Sequence, residues 1–146
     1  KAAVDAKPDH DFVVMARTDA YAVEGFEAMV DRCIAYKQAG ADMLFAEAMP
    51  EIHLYGTIKD KIDLPLLANM TEFGKTPLAT TEELAKVGVD MVLYPLSVAR
   101  VMYRSACEAL FTIRRDGSQK GLIERMQTRD ELYQFLDYHK WENLQR

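Results

Sequence analysis

The sequence predicts an α/β fold built on four parallel strands and followed by helices, and three observations carry that reading. Short apolar runs alternate with longer amphipathic stretches, the order expected of βα units rather than of a helical bundle. Two junctions repeat: Ala39-Gly40-Ala41-Asp42 and Val87-Gly88-Val89-Asp90 each lead directly into an apolar run, as a glycine turn does where a helix returns to a parallel sheet. The apolar runs are nearly continuous rather than alternating, which fits strands covered on both faces.

The chain opens with Lys1–Lys7, which reads as the end of a helix, and then a Pro-Asp-His turn. The first strand is expected over Phe12–Ala16 and a helix over Val23–Ala39, with Gly40 as its left-handed stop. Further strands are expected over Met43–Ala46, Leu66–Ala68 and Met91–Tyr94. Thr80-Thr81-Glu82-Glu83 forms a capping box that opens a helix ending at Gly88. After Pro95, Ser97 caps a long helix to Arg115, closed by Gly117. A short helix follows near Leu122–Met126, and a second capping box at Thr128-Arg129-Asp130-Glu131 opens a last helix through Tyr138. The expected division is residues 1–115 for the strands and their helices and 116–146 for a helical extension. Four βα units leave sheet edges unpaired and cannot close a barrel, so further strands are expected to precede this segment.

Composition narrows the function classes. Of 146 residues, 49% are hydrophobic and 28% charged, which supports a packed core. The net charge is −5 and no Lys/Arg stripe is present, so nucleic acid is excluded and a small metabolite is favoured. No apolar stretch approaches the ~20 residues that span a bilayer, and the N-terminus carries no signal pattern, so a cytoplasmic protein is expected. Cys33 and Cys107 lie outside any metal or nucleophile spacing and read as buried helix residues. His10, His53 and His139 show no metal spacing and read as surface or packing residues.

In parallel α/β folds, chemistry gathers at the C-terminal ends of strands. Arg17 follows the first apolar run, where a guanidinium suits a carboxylate gripped by two parallel hydrogen bonds; an ion pair with Asp19 or Glu47 is the alternative. Glu47 follows the second run, placed either to meet a divalent cation through water or to neutralise Arg17. Asn69 and Thr71 flank Met70 with the period of extended chain, so both side chains can enter one space. Gly74 and Pro77 mark a loop there, either a lid or an ordinary turn.

Met15-Ala16-Arg17-Thr18-Asp19-Ala20, Met43-Leu44-Phe45-Ala46-Glu47-Ala48, Leu67-Ala68-Asn69-Met70-Thr71-Glu72-Phe73-Gly74 and Leu93-Tyr94-Pro95-Leu96-Ser97 occur in this order. In sequence and spacing this set resembles the 2-methylisocitrate lyases of the isocitrate lyase/phosphoenolpyruvate mutase superfamily, over nearly the whole chain. The resemblance implies the C-terminal half of a (β/α)8 TIM-type barrel and Mg²⁺-dependent cleavage of 2-methylisocitrate to pyruvate and succinate, in the methylcitrate cycle of propionate catabolism. It implies Arg17 as a substrate-carboxylate arginine, Glu47 near the water shell of the metal, Asn69 and Thr71 as donors to the succinyl carboxylate, and Phe45 and Leu93 as walls of a methyl pocket. The family's metal-binding aspartates and its Lys-x-Cys-Gly-His loop find no match here. No catalytic residue is therefore expected within this chain, and alone it is expected to be inactive. The resemblance also implies a homotetramer with a late helix packed on a neighbouring subunit, which directs attention to the helix from Ser97 to Arg115 and the aromatic tail.

Three other superfamily activities compete: oxaloacetate decarboxylase, phosphonopyruvate hydrolase and isocitrate lyase. Isocitrate lyases place a serine-rich segment after the third strand, whereas Thr71-Glu72-Phe73-Gly74 favours the methyl-bearing substrate. A non-catalytic half-barrel kept for assembly is the reading from a different class.

Overall fold

The computed structural model describes residues 1–144 and divides into two compact units, 1–97 and 98–146. The boundary falls at the start of the long helix rather than after it, as the sequence had suggested. The first unit contains α1 (Ala2–Asp5), β1 (Met15–Thr18), α2 (Tyr21–Glu24), α3 (Phe26–Gln38), β2 (Met43–Ala46), α4 (His53–Ile62), β3 (Leu66–Asn69), α5 (Thr81–Lys86) and β4 (Met91–Leu93). Its four strands form one sheet in the order β1-β2-β3-β4, all neighbours parallel. The α/β expectation with four parallel strands therefore holds.

Strand alternation gives the sheet two unlike faces. Leu44, Ala46, Leu66 and Ala68 are buried on one face with Met29, Val30 and Cys33 of α3, Tyr55, Ile58 and Ile62 of α4, and Leu84 of α5. The register Arg17↔Phe45, Phe45↔Leu67 and Leu67↔Met91 builds a row on the other face, with Asn69↔Leu93 one pleat further along. That second face is partly open: Met91 is 43% exposed and Leu93 38%. Position in the pleat thus decides which side chains serve packing and which can meet a ligand.

The repeated glycine junctions explain how helices re-enter the sheet. Gly40 and Gly88 have φ of +95° and +80°, and a Cβ at either would come within 2.9 Å of Val4 or 2.8 Å of Lys59. Two residues on, Asp42 accepts the Val14 N–H at 2.7 Å and Lys7 Nζ at 2.8 Å, while Asp90 accepts the Leu66 N–H at 2.9 Å and Lys59 Nζ at 2.8 Å. Each aspartate ties the start of the neighbouring strand to a lysine from a preceding segment. Lys59, followed by the backbone bond, holds the Asp90 carboxyl below its ordinary value. A depressed carboxylate contributes stability above the unfolded pKa of about 3.9 and loses it as pH falls through the folded value. Asp90→Asn is therefore expected to lower the Tm at pH 7, with the gap to wild type closing progressively below about pH 4. Thermal melts across that range check this.

Several boundaries depart from the sequence expectation. The first strand begins at Met15, not Phe12, because Asp9 Oδ1 accepts the N–H groups of Asp11 and Phe12 and turns the chain there. Arg17 consequently lies within β1. The expected helix over 23–39 starts earlier and is split at Gly25, where φ is +88°. The strand expected to reach Tyr94 stops at Leu93. Helix α4, between β2 and β3, was not anticipated. Both expected capping boxes are present, Thr80 with Glu83 and Thr128 with Glu131.

The second unit holds most of α6 (Ser97–Asp116), a 3₁₀ segment at Lys120–Arg125, α7 (Arg129–Phe135) and α8 (Tyr138–Asn143). Leu122 is buried, and Arg104 and Arg125 both bond Glu108, at 2.7 and 2.9 Å. The last helix breaks before Tyr138 because Asp137 adopts a left-handed conformation, φ +50°. Tyr133 stacks on Tyr138 with centroids 4.3 Å apart, and His139 meets both edge-on. Cys33 is buried as expected, with burial pushing its thiol up to about 11, but Cys107 is exposed on α6 rather than buried. Among the described residues no helix is long and apolar enough to cross a membrane.

Candidate substrate-carboxylate site

The residues singled out after the apolar runs converge at the C-terminal ends of three adjacent strands. Arg17 stands on β1, Glu47 one residue beyond β2, Asn69 at the end of β3 and Thr71 two residues later. Parallel pairing at matched register brings them level. Arg17 Nη2 lies 3.2 Å from Glu47 Oε2, Asn69 Nδ2 donates to the same oxygen at 3.1 Å, and Thr71 Oγ1 donates to Asn69 Oδ1 at 2.8 Å. The result is a continuous polar chain across the sheet, with Glu47 as its hub.

Two further contacts fix Arg17. Its Nε and Nη2 donate to Asp19 Oδ2 and Oδ1 at 3.0 and 2.9 Å, a paired fork, and its Cζ sits 4.7 Å from the centre of the Phe45 ring. Phe45 thus serves first as a platform for the guanidinium. Asp19, chiefly by its hydrogen bonds, raises the Arg17 pKa, and Arg17 in turn lowers that of Asp19. Of the two readings the sequence left open for Arg17, the ion pair with Asp19 is formed, and it occupies the Nε–Nη2 edge. Among the described residues the side-chain hydrogen bonds of Arg17 leave from Nε and Nη2, and none leaves from Nη1.

The backbone around Glu47 is strained. Ala48 has φ +57°, a left-handed conformation costing a residue with a Cβ about 1–2 kcal/mol, and its N–H donates to Glu47 Oε1 at 2.9 Å. Glu47 is thereby held by its own neighbour as well as by Asn69. Phe73 is likewise left-handed, φ +63°, and 93% exposed at the tip of the loop after β3. That loop is tied back by Glu72, whose carboxylate accepts the Ser97 hydroxyl at the start of α6. Leu93 sits opposite Asn69 on the same sheet face.

Behind the cluster lies a residue the sequence reading did not reach. Tyr55 of α4 is fully buried, and burial, partly offset by Thr76 and reinforced by the Glu47 charge, pushes its phenol up to about 12. It went unnoticed because the helix carrying it did. Asp19 was seen only as a possible ion-pair partner of Arg17.

The fit to a metal is poor within these residues. Both oxygens of Glu47 and both of Asp19 are already engaged, and among the described residues no three His, Cys, Asp or Glu side chains gather as a ligand set. Glu47 does not stand as a direct metal ligand in this arrangement. What the cluster offers is one guanidinium and neighbouring side-chain donors beside two carboxylates, a geometry for positioning an oxyanion rather than for breaking a bond.

The chain has relatives among known proteins. A family model described as phosphoenolpyruvate phosphomutase matches residues 1–114. The chain is similar to 2-methylisocitrate lyase of Escherichia coli (strain K12), 53% identical over 142 residues, covering 97% of this chain and 48% of that protein. The chain spans about half the length of the curated relatives it matches. A solved structure of 2,3-dimethylmalate lyase, a PEP mutase/isocitrate lyase superfamily member, superposes with a TM-score of 0.78 at 29% identity, over 91% of this chain and 47% of that one. Phosphonopyruvate hydrolase solved with oxalate and Mg²⁺ gives a TM-score of 0.80 at 25% identity, over 98% of this chain and 51% of that one.

Proposed function

The chain belongs to the phosphoenolpyruvate phosphomutase family, and from that premise we propose that it supplies the carboxylate-binding rim of a 2-methylisocitrate lyase. The observation that carries the reading is the convergence of Arg17, Glu47, Asn69 and Thr71 at one end of the sheet. In this proposal the open sheet face is covered by four more βα units, with this chain as the C-terminal half of a (β/α)8 barrel. The reaction is cleavage of 2-methylisocitrate to pyruvate and succinate, and the proton-transfer groups come from outside this chain.

Within that reaction the residues here bind and orient. Arg17 Nη1 takes a carboxylate oxygen, and the Asn69 amide and Thr71 hydroxyl turn to the succinyl end. Glu47 holds Arg17 and Asn69 in place. Positioning of this kind supplies rate by presenting the scissile bond in one geometry, with donors already set for the charge that develops on the succinyl fragment. Leu93 and the edge of Phe45 face the substrate methyl, a contact worth only about 1–3 kcal/mol of discrimination. One guanidinium against two carboxylates leaves the cluster anionic. A multiply charged substrate therefore needs further positive charge, which Mg²⁺ held by groups outside this chain would supply, with Glu47 reaching it only through water. A homo-oligomer, a tetramer by the family resemblance, and a cytoplasmic location complete the proposal.

The test is a coupled assay of the full-length protein with 2-methylisocitrate and with isocitrate, with and without Mg²⁺. Preference for 2-methylisocitrate by roughly tenfold or more in kcat/KM is expected from one methyl contact. Equal turnover of both substrates would remove Phe45 and Leu93 from the pocket. Turnover of neither would overturn the assignment.

A further inference from the structure

Arg17 makes its most complete contacts not with the groups proposed to share the substrate but with Asp19. The fork from Nε and Nη2 to both Asp19 oxygens, at 3.0 and 2.9 Å, fixes the guanidinium plane, while Phe45 supports one of its faces and Glu47 Oε2 lies 3.2 Å from Nη2. Asp19 follows directly on Thr18, which is buried at the end of β1 and whose Oγ1 accepts the Ala20 N–H. The Asp19 carboxylate, 62% exposed, meets the guanidinium through both of its oxygens.

The geometry points to Asp19 as the positioning residue of the site, one that restricts Arg17 to a single open donor, Nη1, so that a substrate carboxylate is held end-on in one orientation. This rests on the carboxylate-binding reading of Arg17 and adds to it a rule for how the anion is presented. An arginine with an open fork binds carboxylates more tightly but can slide between its two donor edges. Closing one edge with a fixed anion gives up affinity, by repulsion and by occupancy, in exchange for a single geometry, and misplacement of a reacting group by about 1 Å can cost 10²-fold in rate. The signature is opposite movement of two observables. A residue that only stabilised the loop would move both in the same direction.

The experiment uses the full-length protein, Asp19→Ala and Asp19→Glu, with succinate as the probe ligand by calorimetry and 2-methylisocitrate as substrate. Asp19→Ala is expected to bind succinate several-fold more tightly than wild type, while kcat falls roughly 10- to 100-fold. Asp19→Glu, which keeps the charge, is expected to recover a part of kcat. Weakened succinate binding in Asp19→Ala, or unchanged kcat with unchanged affinity, would overturn the inference. If wild type turns over no substrate, the proposed function fails, and the succinate affinities alone decide for Asp19: tighter in Asp19→Ala supports it, unchanged, weaker or absent in both overturns it. Matching circular dichroism spectra and a Tm shift of at most a few degrees separate this from misfolding.

Discussion

Replacing Arg17 by alanine is expected to lower kcat/KM of the full-length protein for 2-methylisocitrate by roughly 10²–10³-fold, the range for loss of one preorganised donor to developing charge. Three features make the effect large. The guanidinium is the positive charge of the cluster, it is immobilised by Asp19, Glu47 and the Phe45 ring, and its removal leaves two carboxylates facing the position the substrate anion would take. Stability should change little, because half of the Arg17 side chain is exposed and exposed ion pairs contribute about 0–1 kcal/mol. Steady-state kinetics beside a thermal melt check this. Near-normal kcat/KM would reduce Arg17 to a partner of Asp19.

Glu47→Ala should be costly in both activity and stability. The carboxylate accepts from Ala48 N–H and Asn69 Nδ2 and lies 3.2 Å from Arg17 Nη2 as an ion pair, and its side chain is only 17% exposed. Its loss leaves mostly enclosed donors without acceptors, at about 1–3 kcal/mol for an unsatisfied group, and removes the support under the left-handed Ala48. A fall in kcat/KM of roughly 10²-fold is expected as Asn69 and Thr71 lose their common reference point. Glu47→Gln keeps an acceptor for one of the two hydrogen-bond donors, so it should recover most of the Tm but little of the turnover. Denaturation and kinetics on the two variants together separate the roles; equal recovery of both would show that the charge of Glu47 is unimportant.

The parts of the fold legible in the sequence are those with strong local chemistry. The two capping boxes and the glycine junctions specify their own conformations, and three of the four strands were readable as continuous apolar runs. The first strand was misplaced by three residues because Phe12 and Val13, apolar in type, are turned out by the Asp9 side chain, a contact that apolar content does not reveal. Helix α4 was missed for want of punctuation. It has no side-chain N-cap, carries Gly56 inside, and ends on a left-handed Asp63 instead of a glycine, although Tyr55, Ile58 and Ile62 recur at helical spacing on its buried side.

The site was legible in the same graded way. That polar residues after the strands would meet followed from parallel topology, and Arg17, Glu47, Asn69 and Thr71 do form one chain of contacts. How each is used did not follow. The fork to Asp19, the ring support from Phe45 and the strain at Ala48 depend on rotamers and backbone angles that only coordinates supply. Spacing alone left the Arg17 alternatives open, and the structure shows the pairing with Asp19 and with Glu47.

The most direct test is a crystal structure of the full-length protein with succinate bound. The predicted result is one succinate carboxylate oxygen within hydrogen-bond reach of Arg17 Nη1, with Asn69 or Thr71 as its other protein contact and the Arg17–Asp19 fork intact. Succinate seated away from β1–β3, or absent from this rim at saturating concentration, would contradict the assignment.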